Sequence, residues 1–276
     1  MSLAIIVVAA GRGERLGRGI PKALVQIDGK TILEHCLDNL PETELVVVAP
    51  EGYLDQFLKL IPESAKLIAG GNTRQQSALN GIQATNADRV LIHDAARCFT
   101  PIDVFERVTE ALEAFDAVIP AVTVTDTIKQ IDGQLITATV NRDQLVAAQT
   151  PQGFDRKKLL ASFSDVEVTD EAMLMEKAGH AVGFVEGDIR SKKITTEDDL
   201  TGDVFVGTGV DSHKFSDAGE LMLGTMAIAG YPKLEGHSDG DALSHAIVDA
   251  MLAAARLGDI GSVYGIDEPQ FAGASG

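Results

Sequence analysis

The chain of 276 residues is acidic, because 23 lysine and arginine residues face 41 aspartate and glutamate residues and leave a formal net charge of −18. This balance argues against a general nucleic-acid binder, which needs cations to replace phosphate counterions, and against binding to an anionic membrane surface. A hydrophobic fraction of 45% is that of a globular protein. The length corresponds to one large or two modest domains.

Two cysteines, Cys36 and Cys98, are too few for a disulfide framework, so we expect buried, reduced thiols in a cytoplasmic protein. No apolar run approaches the roughly 20 residues of a membrane-spanning helix. The start of the chain lacks the basic residues of a secretory signal.

The first 124 residues alternate between strand and helix patterns. The patterns predict, in chain order, a strand over 4–10, a helix over 32–40, a strand over 44–48, a helix over 53–61, a strand over 66–69, a helix over 73–84, a strand over 90–93, a helix over 104–115 and a strand over 117–124. Such alternation is typical of an α/β fold, a Rossmann-like, mostly parallel sheet with helices on both faces. Ligands bind outside the carboxyl ends of the strands in these sheets, which indicates the loop at Gly11 and the loop at Asp94.

The remaining patterns are less regular. Residues 132–150 are rich in turn formers and predict a hairpin or arm, and a helix over 171–177, a strand over 184–186 and an acidic helix cap at 197–199 follow. Beyond residue 200 the sequence predicts a strand over 204–210 and an alanine-rich helix over 242–255. We therefore expect a domain of residues 1–203 and a partial α+β segment of residues 204–276, which is short for an independent domain.

The loop after the first strand, residues 9–22, combines glycines with cations. Glycines after a strand let backbone N–H groups approach phosphate oxygens closely. In a Walker A loop, a glycine precedes the lysine and a serine or threonine follows it, whereas here Pro21 precedes Lys22. A Rossmann fingerprint would need a glycine at position 16, where this sequence has Leu16. Arg15 and Lys22 instead place cations on both sides of the turn, which suits a triphosphate during transfer. A solvated turn with surface cations is the alternative.

The pattern Gly11-x-Gly13-x-Arg15-Leu16 with Pro21-Lys22 resembles the loop of sugar-phosphate nucleotidylyltransferases, and more closely that of the 2-C-methyl-D-erythritol 4-phosphate cytidylyltransferase family. Further motifs that resemble this family follow in the same order over about residues 3–202: Gly70-Gly71-Asn72-Thr73-Arg74-Gln75-Gln76-Ser77, His93-Asp94-Ala95-Ala96-Arg97, Asp126-Thr127, Val140-Asn141-Arg142, Thr150-Pro151-Gln152, Thr169-Asp170-Glu171-Ala172 and Lys192-Lys193-Ile194-Thr195. Each motif alone is weak, whereas their shared order is highly specific. The resemblance implies a fold of the nucleotide-diphospho-sugar transferase type.

The resemblance also implies an activity and a set of site residues. The family joins CTP to methylerythritol phosphate and releases pyrophosphate in homodimers whose 132–150 arm exchanges contacts. Catalytic neutralisation of the phosphates would fall to Arg15, Lys22 and Lys193, and Mg²⁺ would bridge the CTP oxygens with Asp94 near the ion or the ribose. Nucleotide contacts would come from Ala10, Gly11, Gly13, Gly71, Asn72, Ser77 and Asp94, and acceptor contacts from Thr127, Arg142 and Thr150.

One departure keeps an alternative open. Asn72 stands where the family pattern has an aspartate, so a transferase for another nucleotide or another sugar phosphate remains an alternative, as does a non-catalytic nucleotide-binding module. Several residues also have purely structural interpretations: Thr127 and Thr150 suit strands, the pair at 170–171 suits a helix cap, and His93 suits the core.

A second constellation lies beyond residue 204. If the strand continues past residue 210, Asp211 and His213 alternate on it and so point to one face, and His245 opens the apolar helix. An aspartate and two histidines with one open position form a catalytic zinc set. The stretch resembles the 2-C-methyl-D-erythritol 2,4-cyclodiphosphate synthase family, of which fusions to the first family exist. The resemblance implies Zn²⁺ on these three ligands and ribose contacts from Asp259 and Gly261.

The match to this second family weakens at residues 264–267. Our hypothesis is that the segment holds a metal at most and does not cyclise its substrate. A zinc-dependent lyase that uses the first domain as a scaffold is the alternative.

Overall fold

A central β-sheet organises the first of the two units of the chain, Met1–Leu200; the second unit is Thr201–Gly276. The structure is a computed structural model. It describes residues 1–11, 13, 17, 19–164, 168–200, 205–236 and 240–265.

The nine elements that the sequence predicts over residues 4–124 are all present, in the predicted order, among the strands and helices of the first unit. The strands are β1 (Leu3–Val8), β2 (Gln26–Ile27), β3 (Lys30–Thr31), β4 (Glu44–Ala49), β5 (Lys66–Ala69), β6 (Arg89–Asp94), β7 (Ala117–Thr123), β8 (Lys129–Asp132), β9 (Leu135–Thr139), β10 (Val146–Ala148), β11 (Gln152–Asp155) and β12 (Val182–Glu186). The helices are α1 (Ile32–Asp38), α2 (Leu54–Leu58), α3 (Arg74–Gln83), α4 (Ile102–Ala111), α5 (Arg156–Ser162) and α6 (Glu171–Lys177).

The central sheet contains eight of the described strands. Seven of them pair in the order β10-β7-β11-β6-β1-β4-β5, and the eighth, β12, also pairs with β7, in parallel. β1 pairs in parallel with β4 and with β6, so that Val8 lies beside Val48 and Asp94. β10 and β11 run antiparallel to their neighbours. The mostly parallel α/β sheet is confirmed, and its central carboxyl ends meet at one edge, where the glycine loop and Asp94 lie.

Both faces of β1 are buried, which explains its continuous apolar sequence. Ile5 and Val7 belong to one cluster of buried side chains, whereas Ile6 belongs to a second cluster on the opposite face. Successive residues of a strand point to opposite faces, so this division shows that helices cover the sheet on both sides.

Local capping explains where two of the helices begin. Thr31 caps α1 and forms a capping box with Glu34, in which the side chain of each accepts the backbone N–H of the other. The Thr73 hydroxyl accepts the N–H of Gln76 and so starts α3 directly after the loop at Gly71. α3 is thereby fixed at the edge of the sheet that carries the glycine loop.

The structure corrects several predictions in the second half of this unit. The hairpin or arm predicted over 132–150 is confirmed only in part: a hairpin of β8 and β9 spans 129–139, whereas β10 of the same range belongs to the central sheet. Residues 197–199 do not cap a helix but lie inside the 3-10 helix Glu197–Leu200, where the Asp199 carboxylate accepts the N–H groups of Thr195 and Thr196. β11 and α5 were not predicted, because Gln152 and Gly153 carry no apolar alternation even though both are buried in the sheet.

The second unit contains few regular elements. They are β13 (Leu221–Leu223), β14 (Met226–Ile228), α7 (Ala242–Ala254) and α8 (Ile260–Tyr264). The strand predicted over 204–210 is wrong for residues 205–210, while Val204 lies outside the described residues. A Cβ at Gly209 would stand 1.9 Å from the carbonyl oxygen of Ala246, so this segment lies against the backbone of α7 instead of pairing with a strand.

None of the helices that the structure describes is both long enough and apolar enough to cross a membrane.

The packing of α3 on the sheet allows a test. A Cβ at Gly81 would stand 2.5 Å from Ile6 Cγ2 and 2.8 Å from Val48 Cγ2. We expect Gly81→Ala to lower the free energy of unfolding by about 1–3 kcal/mol, because overpacking outweighs the gain of about 1 kcal/mol in helix propensity. Urea unfolding measures the change. Gly52→Ala is the matched control, since nothing lies within 4 Å of its Cβ position; equal stability of the two variants would contradict the packing.

Candidate active site

A cavity of about 440 Å³ opens at the carboxyl edge of β1 and β6. Three loops and two lysines surround it. Its lining among the described residues comprises Val8, Ala9, Ala10, Gly11, Gly13, Lys22, Ala23, Gly71, Asn72, Thr73, Arg74, Ser77, Asp94, Ala95, Ala96 and Lys193. A cavity of this size, with few polar groups on rigid elements, is typical of a site for a small ligand.

Lys22 joins the glycine loop to a distant part of the chain. Its backbone N–H donates to the Gly11 carbonyl at 3.3 Å, and Gly13 has a φ of +67° and approaches the Lys22 backbone so closely that a Cβ would stand 3.2 Å from the Lys22 nitrogen. The Lys22 Nζ donates to the Ile194 carbonyl at 2.8 Å, next to Lys193. The two predicted catalytic lysines therefore meet at one side of the cavity. Arg15, the third predicted cation, lies outside the described residues.

Asp94 is the centre of the charged groups in the cavity. Its Oδ2 lies 2.7 Å from Lys193 Nζ and its Oδ1 lies 3.3 Å from Arg74 Nη2. Burial raises the pKa of the Asp94 carboxyl, but Arg74 and Lys193 outweigh this effect and hold the pKa well below its usual range. Asp94 is therefore a carboxylate at every pH at which the protein would work.

Arg74 connects Asp94 to a second, fully buried carboxylate. The Arg74 Nη1 donates to both oxygens of Glu171, each at 2.8 Å, and Glu171 has no exposed surface. Burial raises the pKa of Glu171, and the Arg74 guanidinium opposes this rise. Sequence reasoning did not assign a role to Arg74. The sequence did contain an indication that Arg74 belongs to the site, because it lies within three residues of both Asn72 and Ser77 in the same motif.

The turn after Asp94 holds the segment that carries Lys193. The Ala96 carbonyl accepts the N–H of Ile194 at 2.8 Å, and Arg97 Nη1 donates to the Ser191 carbonyl at 2.7 Å. Lys193 is therefore held from both sides through backbone groups of its neighbours.

His93 belongs to the core, as its structural interpretation predicts. It is buried beside Phe105, and burial lowers the pKa of its imidazole to about 4. The ring is therefore uncharged at neutral pH. Its Nδ1 lies 3.0 Å from the hydroxyl of Thr150, which also accepts the N–H of Asp94 at 3.1 Å.

The structure brings most of the predicted site residues together. The predicted nucleotide contacts and both lysines line the cavity. The predicted acceptor contacts do not: Thr150 is buried beneath it, and Thr127 and Arg142 are exposed near the β8–β9 hairpin, where Arg142 donates to the Thr125 carbonyl. Within this one chain, Thr127 and Arg142 are therefore separate from the nucleotide contacts, whereas Thr150 contacts the backbone of Asp94.

The second unit brings its three predicted metal ligands together. The Oδ2 of Asp211 lies 2.7 Å from His213 Nε2 and 3.0 Å from His245 Nδ1, and the two histidine nitrogens lie 3.3 Å apart. Two ligands on a tetrahedral zinc ion, each about 2.1 Å from the metal, are about 3.4 Å apart. The cluster therefore has the spacing of a zinc site, although the predicted strand that was to align the first two ligands is absent.

Asp241 fixes the helix that carries His245. Its buried carboxylate caps α7 and accepts the N–H groups of Gly224, Thr225 and Ser244, and these hydrogen bonds hold its pKa at about 2 against the effect of burial. No role was assigned to this aspartate from the sequence.

Asp259 and Gly261 lie at the start of α8. Asp259 caps this short helix by accepting the N–H of Ser262 at 2.8 Å. The two residues are not members of the ligand cluster. Residues 237–239, which precede α7 in the sequence, lie outside the described part of the chain.

Comparison with known proteins agrees with the motifs. The family model of 2-C-methyl-D-erythritol 4-phosphate cytidylyltransferase matches residues 3–206, and that of the YgbB family matches residues 204–276. A bifunctional enzyme IspD/IspF of Clavibacter michiganensis subsp. michiganensis is 40% identical over 99% of this chain and 75% of its own length. One from Erythrobacter litoralis is 37% identical over 99% of this chain and 75% of its own length.

Solved structures give the same result. The bifunctional IspDF of Campylobacter jejuni is 28% identical, with a TM-score of 0.64 over 100% of this chain and 76% of that chain. The 2-C-methyl-D-erythritol 4-phosphate cytidylyltransferase of Thermus thermophilus is 32% identical, with a TM-score of 0.63 over 72% of this chain and 96% of that chain. The family predicted from the motifs is thereby confirmed. Since the first family model covers most of the sequence, the chain belongs to the 2-C-methyl-D-erythritol 4-phosphate cytidylyltransferase family.

Proposed function

We propose that the first unit transfers a cytidylyl group from CTP to 2-C-methyl-D-erythritol 4-phosphate and releases pyrophosphate. The observation that carries the proposal is the meeting of Lys22, Lys193 and the backbone of the glycine loop around one cavity. Backbone N–H groups and two ammonium groups are the donors that a triphosphate requires. A non-catalytic nucleotide-binding module would release no pyrophosphate.

The reaction needs positioning and charge neutralisation more than proton transfer. A phosphate oxygen of the acceptor forms a bond to the α-phosphorus of CTP, and the bond between the α-phosphorus and the bridging oxygen breaks as pyrophosphate leaves. The attacking oxygen is already anionic near neutral pH. This fits a cavity in which Asp94 is bound to two cations and the neighbouring His93 is buried and uncharged. In this proposal Lys22, Lys193 and Arg15 neutralise the phosphates as charge moves to the leaving group.

A magnesium ion in this cavity would be held mainly by the CTP phosphates, because both oxygens of Asp94 already contact cations. Asp94 is the one carboxylate among the described residues that line it, and Mg²⁺ is commonly held by one or two carboxylates together with substrate phosphates. Bound there, the ion would supply charge neutralisation to the phosphate oxygens. Family membership is consistent with the use of a metal.

Recognition of the base falls to Asn72, Gly71, Ser77 and Ala10 in this proposal. Ser77 is buried and its hydroxyl accepts the Gly71 N–H at 3.1 Å, which fixes the backbone of the loop. The Asn72 side chain is exposed on the cavity lining and offers both a carbonyl and an amide. A panel of CTP, UTP, ATP and GTP, compared by pyrophosphate release, tests whether cytosine is preferred with asparagine at this position.

The acceptor contacts lead to a proposal about assembly. Thr127 and Arg142 lie away from the cavity in this chain, and the nearby hairpin exposes Ile131, Leu135 and Ile136, whose exposed fractions are 66%, 73% and 66%. Exposed apolar side chains on a two-stranded hairpin are typical of a surface that another chain covers. We include a homodimer in the proposal, in which each arm brings its acceptor contacts to the other subunit.

Two further points complete the proposal. In the second unit, Zn²⁺ would be held by Asp211, His213 and His245, and the bound ion would act as a Lewis acid.

The compartment follows from the cysteines. Both are buried and free, which suits a reducing compartment, and we propose the cytoplasm.

Lys22→Ala tests the catalytic proposal. We expect kcat for pyrophosphate release from CTP and the acceptor to fall about 100-fold or more, because the variant removes a charge that stabilises the transition state. Lys157→Ala is the control, since this exposed lysine lies on α5, away from the cavity lining. Turnover of the Lys22 variant within threefold of the unmodified chain would contradict the proposal.

The dimer is tested by Ile131→Asp combined with Ile136→Asp. We expect light scattering to show a monomer at micromolar concentration, because two carboxylates cannot be buried unpaired in the interface. The KM for the acceptor should rise. Leu58→Asp, at a leucine of α2 that is 62% exposed, is the control. A dimer of unchanged stability in the doubly substituted hairpin would show that the hairpin is not the interface.

Zinc binding is tested by His213→Ala. We expect about one zinc per unmodified chain after dialysis against the metal, and close to none in the variant, because the two remaining protein ligands are fewer than the three of a catalytic zinc site. Elemental analysis by mass spectrometry gives the ratio. His180→Ala serves as control, since His180 pairs with Asp116 in the first unit. Equal zinc content in all three proteins would place the metal elsewhere.

A further inference from the structure

The buried carboxylate of Glu171 divides the Arg74 guanidinium between two partners. One nitrogen, Nη1, is held by both oxygens of Glu171 at 2.8 Å, which leaves Nη2 to contact Asp94 Oδ1 at 3.3 Å. The other oxygen of Asp94 is then available to Lys193 at 2.7 Å. The four groups form a row of alternating charges, and Lys193 stands at the cavity end of the row.

The position of Glu171 is fixed by its own helix. The preceding residue, Asp170, caps α6 by accepting the Met173 N–H at 3.1 Å, and Gln152 of β11 donates to the Asp170 carboxylate at 3.0 Å. The start of α6 is thereby attached to the sheet, close to the strand β6 that carries Asp94. Glu171 therefore holds Arg74 from a rigid element.

Packing alone does not explain a charged side chain at this position. A buried carboxylate loses its hydration, and an apolar residue of similar volume often serves stability equally well or better. The pair also lies far apart in sequence, 97 residues from Arg74 to Glu171. A structural role would be met by any packed side chain, whereas a role in orienting Arg74 requires an acceptor at this point.

The consequence follows from the shape of a guanidinium. Its two terminal nitrogens match the two oxygens of one carboxylate, so an arginine without a competing partner tends to bind a carboxylate with both. If Glu171 did not hold Nη1, Arg74 could take both oxygens of Asp94. Lys193 would then lose its partner and its place in the cavity.

We propose that Glu171 is a positioning residue: by holding Arg74 it reserves one oxygen of Asp94 for Lys193 and so sets where the Lys193 ammonium stands. The inference deepens the proposed cytidylyl transfer and rests on it for its kinetic readout. The geometric claim about Lys193 does not depend on which substrate is transferred.

Glu171→Gln is the first test, because it keeps the shape of the side chain and removes its charge. We expect kcat for pyrophosphate release to fall about tenfold, with the KM for CTP within twofold, since the loop that holds the nucleotide is not altered. Glu176→Gln, an exposed position on the same helix, is the matched control and should retain full activity. Glu171→Asp keeps the charge and should recover part of the lost kcat. Equal loss in the Asp and Gln variants, or a change confined to the KM for CTP, would overturn the proposal.

The second test does not use activity. The rate at which a lysine-directed acylating reagent modifies Lys193, measured by mass spectrometry relative to exposed Lys157 of the same molecule, reports whether the ammonium is held. We expect this ratio to rise at least threefold in Glu171→Gln and to stay unchanged in Glu176→Gln. An unchanged ratio in a folded Glu171→Gln protein would show that Glu171 does not act on Lys193.

A third variant covers the case in which Glu171→Gln does not fold. Arg74→Lys leaves Glu171 a cationic partner, but a single ammonium cannot reproduce the fork that spans two carboxylates. We expect the same rise in Lys193 modification and the same fall in kcat, and the double variant should be no worse than either single variant. A normal modification ratio in Arg74→Lys would overturn the proposal. If the unmodified chain released no pyrophosphate while the modification ratios behaved as expected, the proposed function would fail and the positioning role would stand.

Discussion

The negative charge of Asp94 is the constraint on which the arrangement of the site depends. A carboxylate buried at the end of a central strand is costly unless cations and hydrogen bonds compensate it, and removing one partner of such a pair commonly costs about 3–5 kcal/mol. Here Arg74 and Lys193 compensate it from opposite sides. Each of these cations comes from a different part of the chain. The ion pairs of Asp94 therefore attach two separate parts of the chain to the end of β6: the start of α3, through Arg74, and the segment that carries Lys193.

The parallel sheet supplies the edge at which this can happen. β1, β4 and β6 end side by side, so the loops that follow them begin within a few ångströms of one another. The loop after β1 places Gly11, Gly13 and Lys22 on the cavity lining. The turn after β6 uses its backbone to hold Ile194. Lys22 and Lys193, which are distant in sequence, thus converge at one cavity.

The sequence alone was informative about the elements that carry a strong local signal. The continuous apolar run of β1, the helical pattern over 73–84 and the ordered motifs predicted the sheet, the position of α3 and most of the cavity lining. What it could not supply was the contact between Arg74 and Glu171, because no local pattern links an exposed-looking arginine at a helix start to a glutamate 97 residues later. The strand over 205–210 failed for the same reason: a β-rich composition does not by itself provide a partner, and Gly209 allows a close approach to α7 instead. Arg15 stays a prediction, since it lies outside the described residues.

The two units differ in how the negative charge of a carboxylate in each cluster is compensated. In the first, carboxylates and cations alternate, so Asp94 is balanced by protein groups before any ligand binds. In the second, Asp211 faces two histidines that carry no full positive charge unless protonated, and the nearby Asp241 accepts the backbone N–H groups of Gly224 and Thr225. The second cluster thus keeps a carboxylate whose charge is not neutralised by a fixed cation of the cluster, which is the condition under which a divalent metal ion gains most from binding. In the first cluster, by contrast, the carboxylate already has two cationic partners, and its charge serves to fix the position of the Lys193 ammonium at the cavity.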